Sequence, residues 1–348
     1  MSTKLKNLAI VLMALALGPK AAAQHEQKVK NVVLRTGTTI AYDRDAQDSA
    51  RVILTPEGDS LGIKVYVGAG VSEDYLYTQI SRVEFWPTAE VSDSTNTNRN
   101  DAADLVRNGE GWRLEFPRFY HGTDTTFEVT HRTDDYGITY SLEWDGTKKA
   151  NRWTCYELYE GNMQKNTKRQ DGFVEDPSLP APYRTKSSDY TGSGYTRGHL
   201  CPSGDRLCSA AQNKQTFYMS NMQPQLSAHN SGVWAMLESK VRNVWAPASG
   251  SGDTLYVVKA ATIDEANIMG YTKAGLIVPK VFYMALLYYD KAADGYQAIG
   301  IWSPHAGDST TEYLTIDELE RRTGIDFFCN LPDGTEATVQ RRIGGRFK

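Results

Sequence analysis

The chain has 348 residues, more than one average domain, so two domains are the expectation. Forty percent hydrophobic content with 20 Tyr and 10 Phe excludes a disordered chain. A formal net charge of −4 argues against passive coating of nucleic acid, yet leaves room for an enzyme with a local basic groove.

Residues 1–23 read as a signal peptide. Lys4 and Lys6 form a positive start, Leu8 to Leu17 an apolar run, and Ala21-Ala22-Ala23 a small-residue cleavage site. The apolar run is ten residues long, too short to span a bilayer. The expected location is secreted or periplasmic, with no membrane insertion after cleavage. Losing Lys4, Lys6 and Lys20 leaves 35 basic against 42 acidic residues, a net charge of −7. Four cysteines (Cys155, Cys201, Cys208, Cys329) in an exported chain point to disulfide bonds with three pairings open, and Cys201 and Cys208 are close enough for a local clip. Zinc is the weaker reading, because neither C-x-x-C nor a partner His-x-x-x-His occurs.

Residues 24–91 carry short β-rich runs at Val32 to Leu34, Ala50 to Leu54, Ile63 to Val67 and Ile80 to Phe85, separated by Gly, Asp and Ser turns. A small all-β N-terminal domain is expected there. The polar, apolar-free stretch Ser92 to Asp101 predicts a linker, taken as residues 92–111. A second domain, residues 112–348, opens with strands at Arg113 to Phe116, Thr126 to His131, Ile138 to Trp144 and Trp153 to Tyr159. His131 falls in an alternating strand, where a hydrogen-bonded structural histidine is the expectation. Gly172 to Tyr195 is loop-rich, with Pro177, Pro180 and Pro182 blocking regular structure, and long irregular connections are often functional.

Thr216 to Met219 predicts a strand, and Asn230 to Val244 a helix ending before Pro247. At 100° per residue, Asn230, Val241, Trp234, Trp245 and Glu238 share one stripe. Two polar side chains on an otherwise Trp and Val face argue for a site, because an unpaired buried carboxylate is costly. Asn230 as a simple helix cap is the alternative. Further strands are predicted at Thr254 to Val258, Leu276 to Val278, Val281 to Tyr289 and Tyr296 to Trp302. A short helix follows from Thr315, with Glu318 at the capping-box distance.

The runs YTRGHLCPSGDR, TFYMSNMQPQ and HNSGVWAMLE, in this order, resemble the DNA/RNA non-specific endonucleases of the ββα-metal superfamily. The resemblance extends from about Trp112 to Val339. It implies an α+β fold, with central antiparallel sheets around a ββα-metal nuclease core. It also implies a metal-dependent endonuclease that cuts DNA and RNA without sequence specificity and leaves 5′-phosphate ends. His199 would be the general base. Asn230 would be the direct ligand of one divalent ion, magnesium with manganese as the alternative. Glu238 would act from behind the metal, and Arg169 would grip a phosphate oxygen. Asn221 would fix local geometry, and Arg197 would pack behind the site or touch phosphate. DNA and RNA would be held through the phosphate backbone, which carries no direct base code. Lys186, Arg206, Lys214, Lys240 and Arg242 flank the motifs as candidate groove cations.

Two departures stand out. Thr196 occupies the place of the motif's leading acid, which predicts weakened metal binding. Lys259-Ala260-Ala261 and Met284 stand where relatives often carry a Gly-rich segment and a lysine. A weakened nuclease-like protein that binds nucleic acid or a surface ligand is therefore the alternative reading.

Overall fold

The computed structural model describes residues 29–42, 49–54, 60–66, 72–76, 78–85, 96–122, 125–307 and 310–348. The signal peptide and residues 92–95 of the expected linker lie outside them. The chain divides into two compact units, residues 1–91 and 92–348.

In the smaller unit, strands β1 (Val29–Leu34), β2 (Thr39–Ala41), β3 (Ser49–Leu54), β4 (Ser60–Tyr66), β5 (Ser72–Leu76) and β6 (Ile80–Phe85) form two three-stranded antiparallel sheets. Val29, Val32, Ile63, Val65, Ile80 and Val83 make its core. These β-branched residues suit a pleated, half-buried surface.

The larger unit is built on a seven-stranded antiparallel sheet. Its strands are β7 (Thr126–Thr133), β8 (Gly137–Asp145), β9 (Ala150–Leu158), β12 (Thr254–Ala261), β15 (Val281–Asp290), β16 (Gly295–Pro304) and β17 (Glu312–Leu314). They lie in the order β17-β16-β15-β12-β9-β8-β7. The central strand β15 is covered on both faces, so Val281 to Tyr288 is buried without alternation. That explains its continuous apolar run. One face carries Trp144, Tyr156, Val257, Met284 and Ile299 under Trp234, Leu237 and Val241. The other carries Trp153, Val258, Tyr283 and Ala285 against Phe116, Ile316 and Phe327.

The short antiparallel pair β10 (Thr196–His199) and β11 (Met222–Gln225) aligns Thr196 with Gln225 and His199 with Met222. Strands β13 (Ile268–Tyr271) and β14 (Ile277–Pro279) form another small pair. Behind β11 comes a helical run made of Ser227–His229, Asn230–Trp234, Ala235–Lys240 and Val241–Trp245, here called the site helix. Two of its pieces are π-type, and Gly232 breaks the helical backbone with φ −98° and ψ −111°. Wide turns of this kind recur where side chains must be re-aimed.

Several expectations are corrected. Arg113 to Phe116 is not a strand but a succession of turns before Pro117, with Arg113 N bonded to Glu110 O and Phe116 N to Arg113 O. Thr216 to Met219 is no strand either. Thr216 closes the helix α2 (Ala210–Gln215), below a 3₁₀ turn at Met219–Asn221. (The helix α1, Ala102–Arg107, precedes it in the chain.) All four cysteines are free and buried, so no disulfide joins them. Cys208 donates to Gln212 Oε1 at 3.2 Å and Cys329 faces Phe116 O, each thiol behaving as a small core group.

The described part of the expected linker is built into the larger unit. Asn96 Nδ2 donates to the Cys329 and Leu331 carbonyls, and Asn98 Nδ2 to Asp326 and Glu336. Asn100 bonds Gly111 O and Pro117 O. Asp101 caps α1. A stretch without apolar residues is thus held by amide side chains onto the helix α4 (Asp333–Gln340) and the connection that leads into it from the helix α3 (Ile316–Thr323). His131 is structural as expected, buried with Nε2 3.0 Å from Asp176. No helix among the described residues is long and apolar enough to cross a membrane.

Candidate active site

A cleft of about 620 Å³ lies between β10, the site helix and the loop before β10. Arg169, Phe173, Tyr195, Thr196, Arg197, His199, Asn230, Glu238 and Arg242 line it. Five of the six expected site residues meet there. Asn221 does not.

His199 ends β10 with its imidazole wedged between two rings, 5.8 Å from Phe173 and 5.2 Å from Phe217 between centroids. The ring is hydrogen-bonded to the Arg197 backbone, while Nε2 has no hydrogen-bond partner among the described residues. Burial, with Arg169 and Lys259 nearby, pushes its pKa down to about 3. The imidazole is therefore neutral at physiological pH, with Nε2 able to accept a proton.

Asn230 reaches the cleft from the first wide turn of the site helix. Its Nδ2 donates to Thr196 Oγ1 at 3.0 Å, and Thr196 Oγ1 donates to Gln225 O at 2.8 Å. The threonine hydrogen is thus already used, so toward Asn230 the hydroxyl only accepts. That fixes the amide's orientation and turns Oδ1 away from Thr196. At the position of the missing acid, the hydroxyl orients the amide beside it.

Glu238 sits two turns on, its side chain 18% exposed and its Oε1 3.5 Å from Lys259 Nζ. Burial raises its pKa, and Lys259 counters the rise. The expected stripe holds: Trp234, Val241 and Trp245 are buried while Asn230 and Glu238 face the cleft.

Arg169 is exposed, its guanidinium 4.9 Å over the Phe217 ring, with no ion pair among the described residues. Arg197 packs over Phe173 and Tyr190 and donates to Ser187 O at 2.9 Å, so it braces the loop at the cleft wall. Asn221 is fully buried. Its Oδ1 accepts from Cys201 N and its Nδ2 donates to the Cys201 and Thr216 carbonyls, clamping the chain just past His199.

Of the five candidate groove cations, Arg242 lines the cleft, with Nε bonded to Asp205. Arg206 is buried, tied to the Thr139, Asp205 and Glu157 carbonyls, and is structural. Lys240 lies over Trp245 and Tyr313. Lys186 and Lys214 are exposed and do not line the cleft.

Sequence reasoning missed Gln225 and Lys259. Gln225 packs on Gly198, where a Cβ would come within 2.1 Å of Gln225 Oε1 and 2.8 Å of its Cβ. The glycine before His199 is thus needed for close approach. Lys259 is a cation inside an apolar strand, a signal legible in Val257-Val258-Lys259-Ala260-Ala261.

The family model for DNA/RNA non-specific endonuclease matches residues 119–334, more than half of the chain. The chain belongs to that family. It is accordingly a hydrolase of the nuclease class. A nuclease of Nostoc sp. is 29% identical over 216 residues, 59% of this chain and 76% of that one. A nuclease of Serratia marcescens is 27% identical, covering 59% and 78%. The human mitochondrial nuclease EXOG is 28% identical, covering 55% of this chain and 56% of its own length. A crystal structure of an EndoG/EndoGI complex aligns over 61% of this chain and 88% of that chain, with TM-score 0.49 and 23% identity.

Proposed function

We propose that the chain is an exported endonuclease that hydrolyses the phosphodiester bonds of both DNA and RNA, with His199 as general base and Asn230 as the protein ligand of one divalent cation. The observation that carries this reading is the neutral, unpartnered Nε2 of His199 in the same cleft as an oriented Asn230 amide.

The donors suit a hard cation. Asn230 offers a neutral oxygen whose direction is fixed through Nδ2, and Glu238 places a carboxylate eight residues on along the same face. One amide oxygen with a nearby carboxylate leaves most positions to water, the habit of magnesium, with manganese as the alternative. Such a cation, when bound, would supply positive charge to the phosphate and to the departing 3′-oxygen.

The chain's own groups do the rest. His199 Nε2 takes a proton from the attacking water while oxygen bonds to phosphorus. The bond from phosphorus to the 3′-oxygen breaks, leaving a 5′-phosphate and a 3′-hydroxyl that is protonated from solvent. Arg169, exposed at the cleft and without an ion pair among the described residues, grips a phosphate oxygen with its planar fork. These contacts address phosphate and sugar, which accounts for cleavage without sequence preference. Export rests on the leader pattern of residues 1–23, and a mature N-terminus at Gln24 in the exported protein would support it.

The test is plasmid and RNA cleavage by wild type and His199→Ala in magnesium and in EDTA. Loss of a general base is expected to lower the rate by about 10²- to 10⁴-fold. Unchanged magnesium-dependent cleavage by His199→Ala would overturn the assignment.

A further inference from the structure

Lys259 is 0% exposed on β12, in the middle of the sheet face that packs under the site helix. Its neighbours on that face are Val257, Ala261 and, directly across the strand pair, Met284 of β15. The rings of Trp234 and Tyr156 lie 5.7 and 5.9 Å from Nζ. Among the described residues its one anionic partner is Glu238, at 3.5 Å from Oε1. Burying an ammonium group in such surroundings is unfavourable, and a hydrophobic residue of similar volume would serve packing at least as well. Its presence there therefore calls for a role that packing does not supply.

We propose that Lys259 is a positioning residue: its ammonium holds Glu238 by Oε1 from beneath the cleft, so that the carboxylate stays aimed at the cation site beside Asn230. The inference rests on the nuclease reading given above. Glu238 has no other hydrogen-bond partner among the described residues to fix its rotamer. The ammonium below holds the carboxylate on the wall of the cleft that Asn230 also lines. The strand register adds a geometric consequence. Lys259 and Met284 are Cα partners in the antiparallel pair, their side chains on the same face. A lysine placed at 284 would therefore deliver its charge to the same space.

The experiment compares wild type, Lys259→Met and the double variant Lys259→Met/Met284→Lys. Plasmid cleavage is measured against magnesium and DNA concentration. Magnesium binding is followed without substrate by calorimetry, and folding by thermal melting. Partners that orient a metal site from behind are worth about 10- to 100-fold. Lys259→Met is expected to lose that much in kcat and in magnesium affinity, with KM for DNA within about twofold. The double variant should recover to within about fivefold of wild type.

A folded Lys259→Met with wild-type kcat and magnesium affinity overturns the proposal. So does a folded double variant that recovers neither. Should Lys259→Met not fold, the double variant decides alone: folded and active supports the proposal, while inactive or unfolded overturns it. Wild type is the control that separates the two ideas. If it cleaves neither DNA nor RNA in any divalent cation, the nuclease reading fails rather than the lysine's role.

Discussion

Thr196→Ala tests the orientation of the Asn230 amide. In the native cleft the threonine hydroxyl spends its hydrogen on Gln225 O and accepts from Asn230 Nδ2 at 3.0 Å. Without it the amide samples both flips, and in only half of the population does Oδ1 point where it did. That alone weakens cation binding about twofold. The released side chain must also be ordered again on binding, at about 0.5–1.5 kcal/mol, or roughly 2- to 13-fold. Together the two effects predict magnesium affinity about 4- to 25-fold weaker. At saturating magnesium kcat should stay near wild type, because His199 is untouched. Thr196→Ser keeps the hydroxyl and should titrate like wild type. Calorimetry with magnesium chloride and cleavage across magnesium concentrations both read the effect. A Thr196→Ala protein with the wild-type magnesium titration would refute the reasoning, and with it the claim that a hydroxyl orients the amide at this position.

Gly198→Ala should destabilise the larger unit by about 1–3 kcal/mol, the usual range for overpacking, because the new methyl meets both the end and the Cβ of the buried Gln225 side chain. Thermal melting checks it, and a melting temperature within a degree of wild type would count against the close approach. Burial, then repulsion from Asp326, raises the carboxyl pKa of Glu336 to about 8, and burial raises that of Glu320 to about 9. Folded pKa values above the unfolded ones mean stability that is present below about pH 4.5 and is lost as pH rises through 8 to 9. Glu336→Gln removes one such group, so its melting temperature should fall less than wild type's between pH 6 and pH 9; equal falls in the two proteins would refute this.

Much of the site was legible because its signals are local. A histidine after a glycine, an asparagine and a glutamate on one helical face, and an arginine upstream all depend on short spacings that a chain reading captures. The strands of the central sheet were legible for the same reason, since β15 buried on both faces must be apolar throughout. What was hidden depends on distant partners. Arg206 looks like a groove cation, but carbonyls from Thr139 and Glu157, far off in the chain, draw it inside. Asn96, Asn98 and Asn100 look like a solvated linker until their amides meet carbonyls and carboxylates from both ends of the larger unit. Hydrogen bonding replaces apolar burial there, and composition alone does not distinguish the two. The cysteines mislead by context: four behind an expected signal peptide suggest bridges, yet all four are free and buried.

Thr196, taken alone, reads as a missing acid. The bonds around it tell otherwise, and they run through Gln225. Its carbonyl takes the Thr196 hydroxyl, its side chain packs on Gly198, and its Nε2 donates to His229 Nδ1 at 2.7 Å. His229 in turn faces Ser303 Oγ on β16 through Nε2, and it directly precedes Asn230. His305 accepts from Leu226 N and donates to Pro279 O, fixing the entry to the same helix. Both histidines must be neutral to serve as acceptors, and burial lowers both pKa values, that of His229 to about 4. One glutamine therefore joins the strand that carries His199, the proposed base, to the helix that carries Asn230, the proposed metal ligand. The relative position of His199 and Asn230 is set by buried hydrogen bonds anchored on the central sheet. The orientation of the Asn230 amide does not need an acid at position 196, because the hydroxyl there has a geometric task that a carboxylate, lacking a hydrogen to give Gln225 O, would perform only in part.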